Sequence, residues 1–300
     1  MTLPKFDLIS IFRAATCALL VFGSHAAADD PTWDWTERER RVLRSLSLSQ
    51  LGPPPASPGN RVADDPRAAE FGQQLFFDTR FSANGDLSCA SCHMPSRDFT
   101  DGVPRAIGLG KGNRNTPTIT GTAWNEWFYW DGRRDSLWSQ ALIPFEAENE
   151  MGGDRLSVVR AVAADDALRS DYESLFGPMP AFDDIAVDGA GPLASAPQRD
   201  AWYRLSNPQQ QRVNTTFANL GKAIAAWERT QHFRPSAFDA YVDGLEADSD
   251  PTSDQLITDE AKAGARLFMD ADRTQCLQCH NGPNLTNGGF HNIGTGNFDG

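Results

Sequence analysis

In "NTTFANLGKAIAAWERT", residues 214–230, the apolar side chains Phe217, Leu220, Ile224 and Trp227 fall three, four and three apart, the spacing of one helical face. The same period recurs along the chain. "DDPRAAEFGQQLFFDTR" (64–80) sets Ala69, Leu75 and Phe76 on a rough face flanked by Ala68 and Phe71, with Asp65 as N-cap and Pro66 in the first turn. Asp154 and Asp165 are placed to cap two further helices, in "GGDRLSVVRAVAADD" and "DDALRSDYESLFG", and Gly177 is a good stop. "TDEAKAGARLFMD" (258–270) predicts another short helix. No window alternates β-branched residues as a strand would, so the pattern predicts an all-α fold. Long Pro- and Gly-rich connections at 51–60 and 177–200 separate the periodic segments, and the second predicts a break between two halves.

The first 30 residues follow a different pattern. Lys5 and Arg13 precede an apolar run from Ala14 to Gly23, and small residues suit cleavage near Ala26 or Ala27. The run is too short to span a bilayer, so 1–27 reads as a secretory signal peptide, and the expectation is a periplasmic protein with no membrane anchor. The whole chain of 300 residues carries a formal charge of −13. Without residues 1–27 it carries 25 basic against 39 acidic side chains, a charge of −14. That balance argues against a nucleic-acid partner and favours a basic protein partner.

The candidate chemistry lies in two short stretches. "SCASCH" and "QCLQCH" each set two cysteines three apart with a histidine directly after: Cys89, Cys92 and His93, then Cys276, Cys279 and His280. Cys17 would leave with the signal peptide, so every mature cysteine belongs to one of the two motifs. In an exported protein, C-x-x-C-H attaches c-type haem: the thiols add to the vinyl groups and the histidine ligates the iron. Three other readings stand beside it. A structural zinc site would use the four thiols but give the histidines no role. A redox pair would want a thioredoxin-like βαβ setting that the pattern lacks. Two short-loop disulfides would give the histidines no reason to recur. Each motif also follows a helix ending in Leu-Phe ("QQLFFD", "ARLFMD"), a weak internal repeat that predicts two cytochrome-c-like units with one haem each. The expected division is a first unit at 28–176, a linker or insertion at 177–207, and a second unit at 208–300, incomplete at its C-terminal end.

Between the motifs, "RNTPTITGTAWNEWFYWDGRRDSLWSQALIPFEAENEMGG" (114–153), taken with "LFFDTRFSANGDLSCASCH" and "AGARLFMDADRTQCLQCHNGPNLTNGGFHNIGT", resembles the bacterial dihaem cytochrome c peroxidase and MauG family. The resemblance covers most of the chain from about Trp33 onward, apart from 177–207. It implies that hydrogen peroxide reacts at the N-terminal haem, ligated by His93. The C-terminal haem, ligated by His280, would take electrons from a small cytochrome c or cupredoxin. It also implies a tryptophan between the haems (Trp130) and a distal acid (Glu150) with Gln140 and Pro144 beside it. Asn115 matches a position that helps hold a calcium ion. By analogy alone, the resemblance points to a homodimer. Read without the family, Glu150 is one more carboxylate on an acidic chain, and Trp130 one of a packed cluster with Trp124, Trp127 and Trp138.

Two departures shape the functional expectation. Many family peroxidases carry a histidine in the Gly-rich loop before "RNTPT" that blocks the first iron until reduction; here Leu109 stands about there. The loop "AIGLGKGNRN" is also no phosphate loop, lacking the strand-to-helix setting. The second departure is the missing segment that would supply a sixth ligand to the second haem, which suggests a truncated C-terminus; His291 is better read as structural. The leading expectation is therefore a dihaem peroxidase open to peroxide without prior reduction. The alternatives are a MauG-like oxidase of partner-protein side chains and a non-enzymatic dihaem electron carrier.

Overall fold

The computed structural model describes residues 33–246 and 255–294; the signal peptide expected at 1–27 lies outside them. A reciprocal capping box between Thr36 and Glu39 opens α1 (Glu37–Leu46). Asp65 accepts a hydrogen bond from the Arg67 amide and opens α2 (Pro66–Phe77) with Pro66 in its first turn. The first motif forms a single turn, α3 (Cys89–Cys92), and two short helices follow, α4 (Leu137–Ala141) and α5 (Ile143–Glu146). Asp154 and Asp165 cap α6 (Arg155–Ala164) and α7 (Asp166–Phe176), as their spacing predicts, and Gly177 ends α7 at φ 88°. The remaining helices are α8 (Ala196–Arg204), α9 (Asn207–Glu228), α10 (Ala237–Glu246) and α11 (Asp259–Met269). Among the described residues, extended pairing is limited to three isolated bridges, so the all-α expectation holds.

The 22-residue α9, about 33 Å long, is the axis of the main core. Val213, Phe217, Leu220, Ile224 and Trp227 are all buried, and they meet Phe71, Leu75 and Phe76 of α2 together with Phe145 and Leu142. Small residues let the backbones approach. A Cβ on Gly72 would run into the Ala223 carbonyl, and one on Gly221 would stand 2.6 Å from the Trp138 carbonyl oxygen. Gly72→Ala is therefore expected to destabilise the protein by about 1–3 kcal/mol through overpacking. A thermal midpoint equal to that of the native protein would contradict this close crossing.

The packing draws the domain boundary elsewhere than the sequence suggests. The segment 177–207, expected to be a linker or insertion, buries Phe182, Ile185, Ala190 and, on α8, Ala201 and Trp202 in the main core. Arg160 ties it down by donating to the carbonyls of Val187 at 2.6 Å and Phe182 at 3.2 Å. The buried Asp154 carboxylate accepts from the Ala190 amide and the Gln198 side chain. Its Pro/Gly content reads as a spacer, but its apolar residues pack. Likewise α9, assigned to the second unit, lies on α2 of the first.

A second core joins the two ends of the described chain. Trp35 and Leu43, flanking and on α1, pack with Tyr241 and Val242 of α10 and with Ala265 and Met269 of α11. Glu39 pairs with Arg266 at 3.0 Å. Residues 33–46, placed by sequence in the first unit, therefore pack with α10 and α11. Among the described residues, no helix is long and apolar enough to cross a membrane.

Candidate functional site

The α2–α9 pair presents the first motif. Asp78, ending α2, caps the next turn, and after a short loop the Ser88 amide donates to the Ser91 hydroxyl at 3.0 Å to start α3. One helical turn then puts Cys89 and Cys92 on neighbouring positions, and the His93 amide closes it on the Cys89 carbonyl at 2.9 Å. The His93 ring lies against Phe76, 6.2 Å between centroids, while Trp227 packs on Phe76 at 4.3 Å and on Phe99 at 5.8 Å. Its Nδ1 is 3.1 Å from the Phe99 carbonyl. A carbonyl only accepts, so Nδ1 carries the proton and Nε2 keeps the lone pair that a metal needs. Burial lowers the His93 pKa, which favours the same neutral form.

The second motif repeats this construction. The His280 amide closes on Cys276 at 2.9 Å, and its Nδ1 meets the Leu285 carbonyl at 3.1 Å. Phe268, from the second Leu-Phe pair, stands 6.4 Å from the His280 ring. Both accepting residues occupy the left-handed region, Phe99 at φ 59° and Leu285 at φ 49°. For residues of this size the conformation costs free energy, and it is used twice to aim a carbonyl at a motif histidine. The surroundings differ: His93 is half-buried and His280 exposed.

These geometries bear on the readings of the motifs. All four cysteines are free, so neither pair is a disulfide. Among the described residues, no three His, Cys, Asp or Glu side chains converge as they would around a metal ion. Two thiols on one turn, a histidine with its outer nitrogen aimed away from the backbone, and an aromatic wall fit a c-type haem in each half.

Near the first motif, the chain gathers polar groups in its interior. Glu150 follows α5 and is largely buried, and burial raises its pKa, with Arg133 pulling the other way. Its charge is felt at Tyr129 and at both Cys89 and Cys92, which places it between the motif and the 128–134 loop. Gln140, on α4, lies beside the Tyr129 hydroxyl. The Gly-rich loop packs directly on this segment. Leu109 donates its amide to the Glu150 carbonyl at 2.9 Å, and Gly110 donates to Asn149 at 3.0 Å. Any Cβ on Gly108 would stand 2.6 Å from the Glu150 carbonyl oxygen, so only glycine allows this approach. Leu109 itself reaches Gly152.

Other predicted residues lie further out. Trp130 sits at the tip of the 128–134 loop, 63% exposed. The loop faces the second-motif segment: Trp127 meets the Phe290 ring at 6.5 Å, and a Cβ on Gly132 would strike the same ring. His291 bonds to Asn287, whose amide donates to the Cys279 carbonyl at 2.8 Å. Asn115 is exposed and lines a small pocket with Thr100, Asp101 and Thr116. Tyr129 and Arg133 were not foreseen, although both stand in the run "FYWDGRR" beside Trp130.

A sequence profile described as di-haem cytochrome c peroxidase matches residues 66–247. The chain belongs to the di-haem cytochrome c peroxidase family. Family membership brings two haems, in keeping with the two motifs. Its curated relatives include methylamine utilization protein MauG of Methylophilus methylotrophus, 29% identical over 75% of this chain and 56% of that one. Cytochrome c551 peroxidase of Pseudomonas aeruginosa is 31% identical over 76% of this chain and 53% of its own. A crystal structure of a MauG-like protein associated with microbial copper homeostasis superposes with a TM-score of 0.56 at 25% identity, over 79% of this chain and 57% of that one. The chain thus spans little more than half the length of these relatives.

Proposed function

We propose that this chain is the haem-bearing part of an exported dihaem c-type peroxidase, reducing hydrogen peroxide to water with electrons from a small periplasmic cytochrome c or cupredoxin. One haem is attached through Cys89 and Cys92 with His93 as ligand, the other through Cys276 and Cys279 with His280. The observation that carries this reading is the half-buried carboxylate of Glu150, close enough to the first motif and to Tyr129 for its charge to act on both.

The haems, when bound, supply the redox chemistry. The chain's own residues handle the proton. Hydrogen peroxide takes up two electrons and two protons as its O–O bond breaks to give two waters. Glu150 accepts the proton of one peroxide oxygen and returns it to the other, the leaving oxygen, which departs as the first water; the two protons taken up with the two electrons come from solvent and complete the second water. Gln140 orients the peroxide by hydrogen bonding. Trp130, three residues from the Trp127 that meets Phe290, would relay electrons between the two halves, and the acidic surface suits a basic carrier.

The decisive test is peroxide turnover by the full-length, fully oxidised holoprotein, never pre-reduced, with reduced cytochrome c as donor. Prompt turnover is expected, because Leu109, rather than a histidine, stands beside Glu150. Turnover only after half-reduction would show that a ligand closes the first iron. The same Leu109 favours a second reading, a MauG-like oxidase of partner-protein side chains. That reading predicts peroxide consumption without oxidation of the cytochrome.

A further inference from the structure

Tyr129 is held in place at a cost that its own contacts do not explain. Its backbone lies in the left-handed region at φ 66°, an uncommon conformation for an aromatic residue. The loop enforces this. Phe128 donates its amide to the Arg134 carbonyl at 2.9 Å, and Gly132 donates to Tyr129 itself at 3.1 Å. The Arg133 guanidinium then lies 3.4 Å above the centre of the ring. Arg133 is tied in turn to Asp131 at 2.8 Å. All of this fixes the direction of a hydroxyl that is buried without a well-formed hydrogen bond, beside Gln140 and within reach of the Glu150 charge. Burial raises its pKa to about 12, with the Glu150 carboxylate adding to the effect, so the phenol keeps its proton at neutral pH. A buried polar group left without a well-formed partner in a folded chain calls for an explanation, and here the loop holds it beside Gln140 and near Glu150.

We propose that Tyr129 is a third polar residue of the pocket, its hydroxyl donating a hydrogen bond to a small oxygen-bearing or anionic ligand bound there between Gln140 and Glu150. Peroxide is the ligand if the peroxidase reading holds, and the proposal rests on that reading only for the ligand's identity. Gln140 and Tyr129 would each hold one lone pair of the ligand. Glu150 would be left free to move the proton. Because an oriented phenol is already in place, the ligand meets a donor whose position was fixed on folding.

The test uses fluoride, a small anion that accepts hydrogen bonds and has no redox chemistry of its own. Its binding to the ferric holoprotein is followed in the optical spectrum, with the native protein compared to Tyr129→Phe. The variant keeps the ring beneath Arg133 and removes only the hydroxyl. Loss of a hydrogen bond to an anion is expected to weaken fluoride binding about 10- to 100-fold. The variant's thermal midpoint is expected to stay level or rise, since the hydroxyl has only a poorly formed contact with Gln140 to lose. Fluoride affinity within twofold of the native value would overturn the role of Tyr129 and leave the peroxidase reading standing. A clear drop in thermal midpoint would reveal a structural partner and overturn it too. If the native protein binds no fluoride, the pocket is closed to ligands and both readings fall. If fluoride binding is weakened as expected but the native protein turns over no peroxide, the peroxidase reading falls and the hydrogen-bond role stands.

Discussion

Glu150→Gln is expected to lower kcat/KM for peroxide by about two to four orders of magnitude, the usual contribution of a positioned acid–base group. The glutamine fills the same space and can still hydrogen-bond, but it cannot take a proton from one oxygen and return it to the other. Burial raises the Glu150 pKa above the ordinary carboxylate range, and only the nearby Arg133 opposes it. This makes Glu150 a stronger base when ionised and a ready donor once protonated. The sign of its pH dependence follows. As the pH falls through the raised pKa, Glu150 becomes protonated and can no longer accept, so turnover falls. The acid limb of the native pH–rate profile should therefore lie above that of an exposed glutamate, and it should vanish in the variant. Haem content and thermal midpoint should change little, since no hydrogen bond of the fold is assigned to this carboxylate. A variant that keeps a tenth or more of the native rate would remove Glu150 from the mechanism.

What the sequence shows directly is what depends on local spacing. The caps at Asp65, Asp154 and Asp165 and the face of α9 are read from neighbours within a few residues, and the structure has them where the spacing puts them. The two C-x-x-C-H motifs and their Leu-Phe helices are equally local, and the structure adds the matching Phe76–His93 and Phe268–His280 contacts. The domain boundary is less legible, because it depends on contacts between distant residues. Nothing near α1 says that Trp35 will pack on Tyr241, although the Thr36–Glu39 capping box announces the helix itself. Nor does the composition of 177–207 separate a spacer from a loop that packs, although it carries scattered apolar residues such as Phe182, Ile185 and Trp202. Glu150 stands out in the sequence through resemblance alone. Its burial depends on the Gly-rich loop folding over it, and the small size of Gly108 is what permits that approach. Tyr129 was hidden between more conspicuous aromatics, and its meaning comes from backbone strain that no spacing rule detects.

A second large effect concerns stability rather than turnover. Glu228→Gln is expected to stabilise the protein at pH 8 by up to a few kcal/mol, the gain disappearing near pH 4.5. Glu228 ends α9 beside the first motif; it is 3% exposed, and its Oε2 has no hydrogen-bond partner. Desolvation raises its pKa to about 8, and its charge would push the Cys89 thiol up as well. A carboxyl group in the unfolded chain titrates near 4.5. Between those values the folded chain holds a proton that the unfolded chain has released, so native stability falls as pH rises. The slope approaches about 1.4 kcal/mol per pH unit. Glutamine has no such titration, so the gap between variant and native protein should open steadily from pH 4.5 to pH 8. The other titrating groups contribute equally to both proteins and cancel in that difference. Urea unfolding midpoints of the two holoproteins at pH 5 and pH 8 measure it. A gap of the same size at both pH values would mean that Glu228 has a charged partner or reaches water in the folded state, and that the acid at the end of α9 is not held neutral by burial.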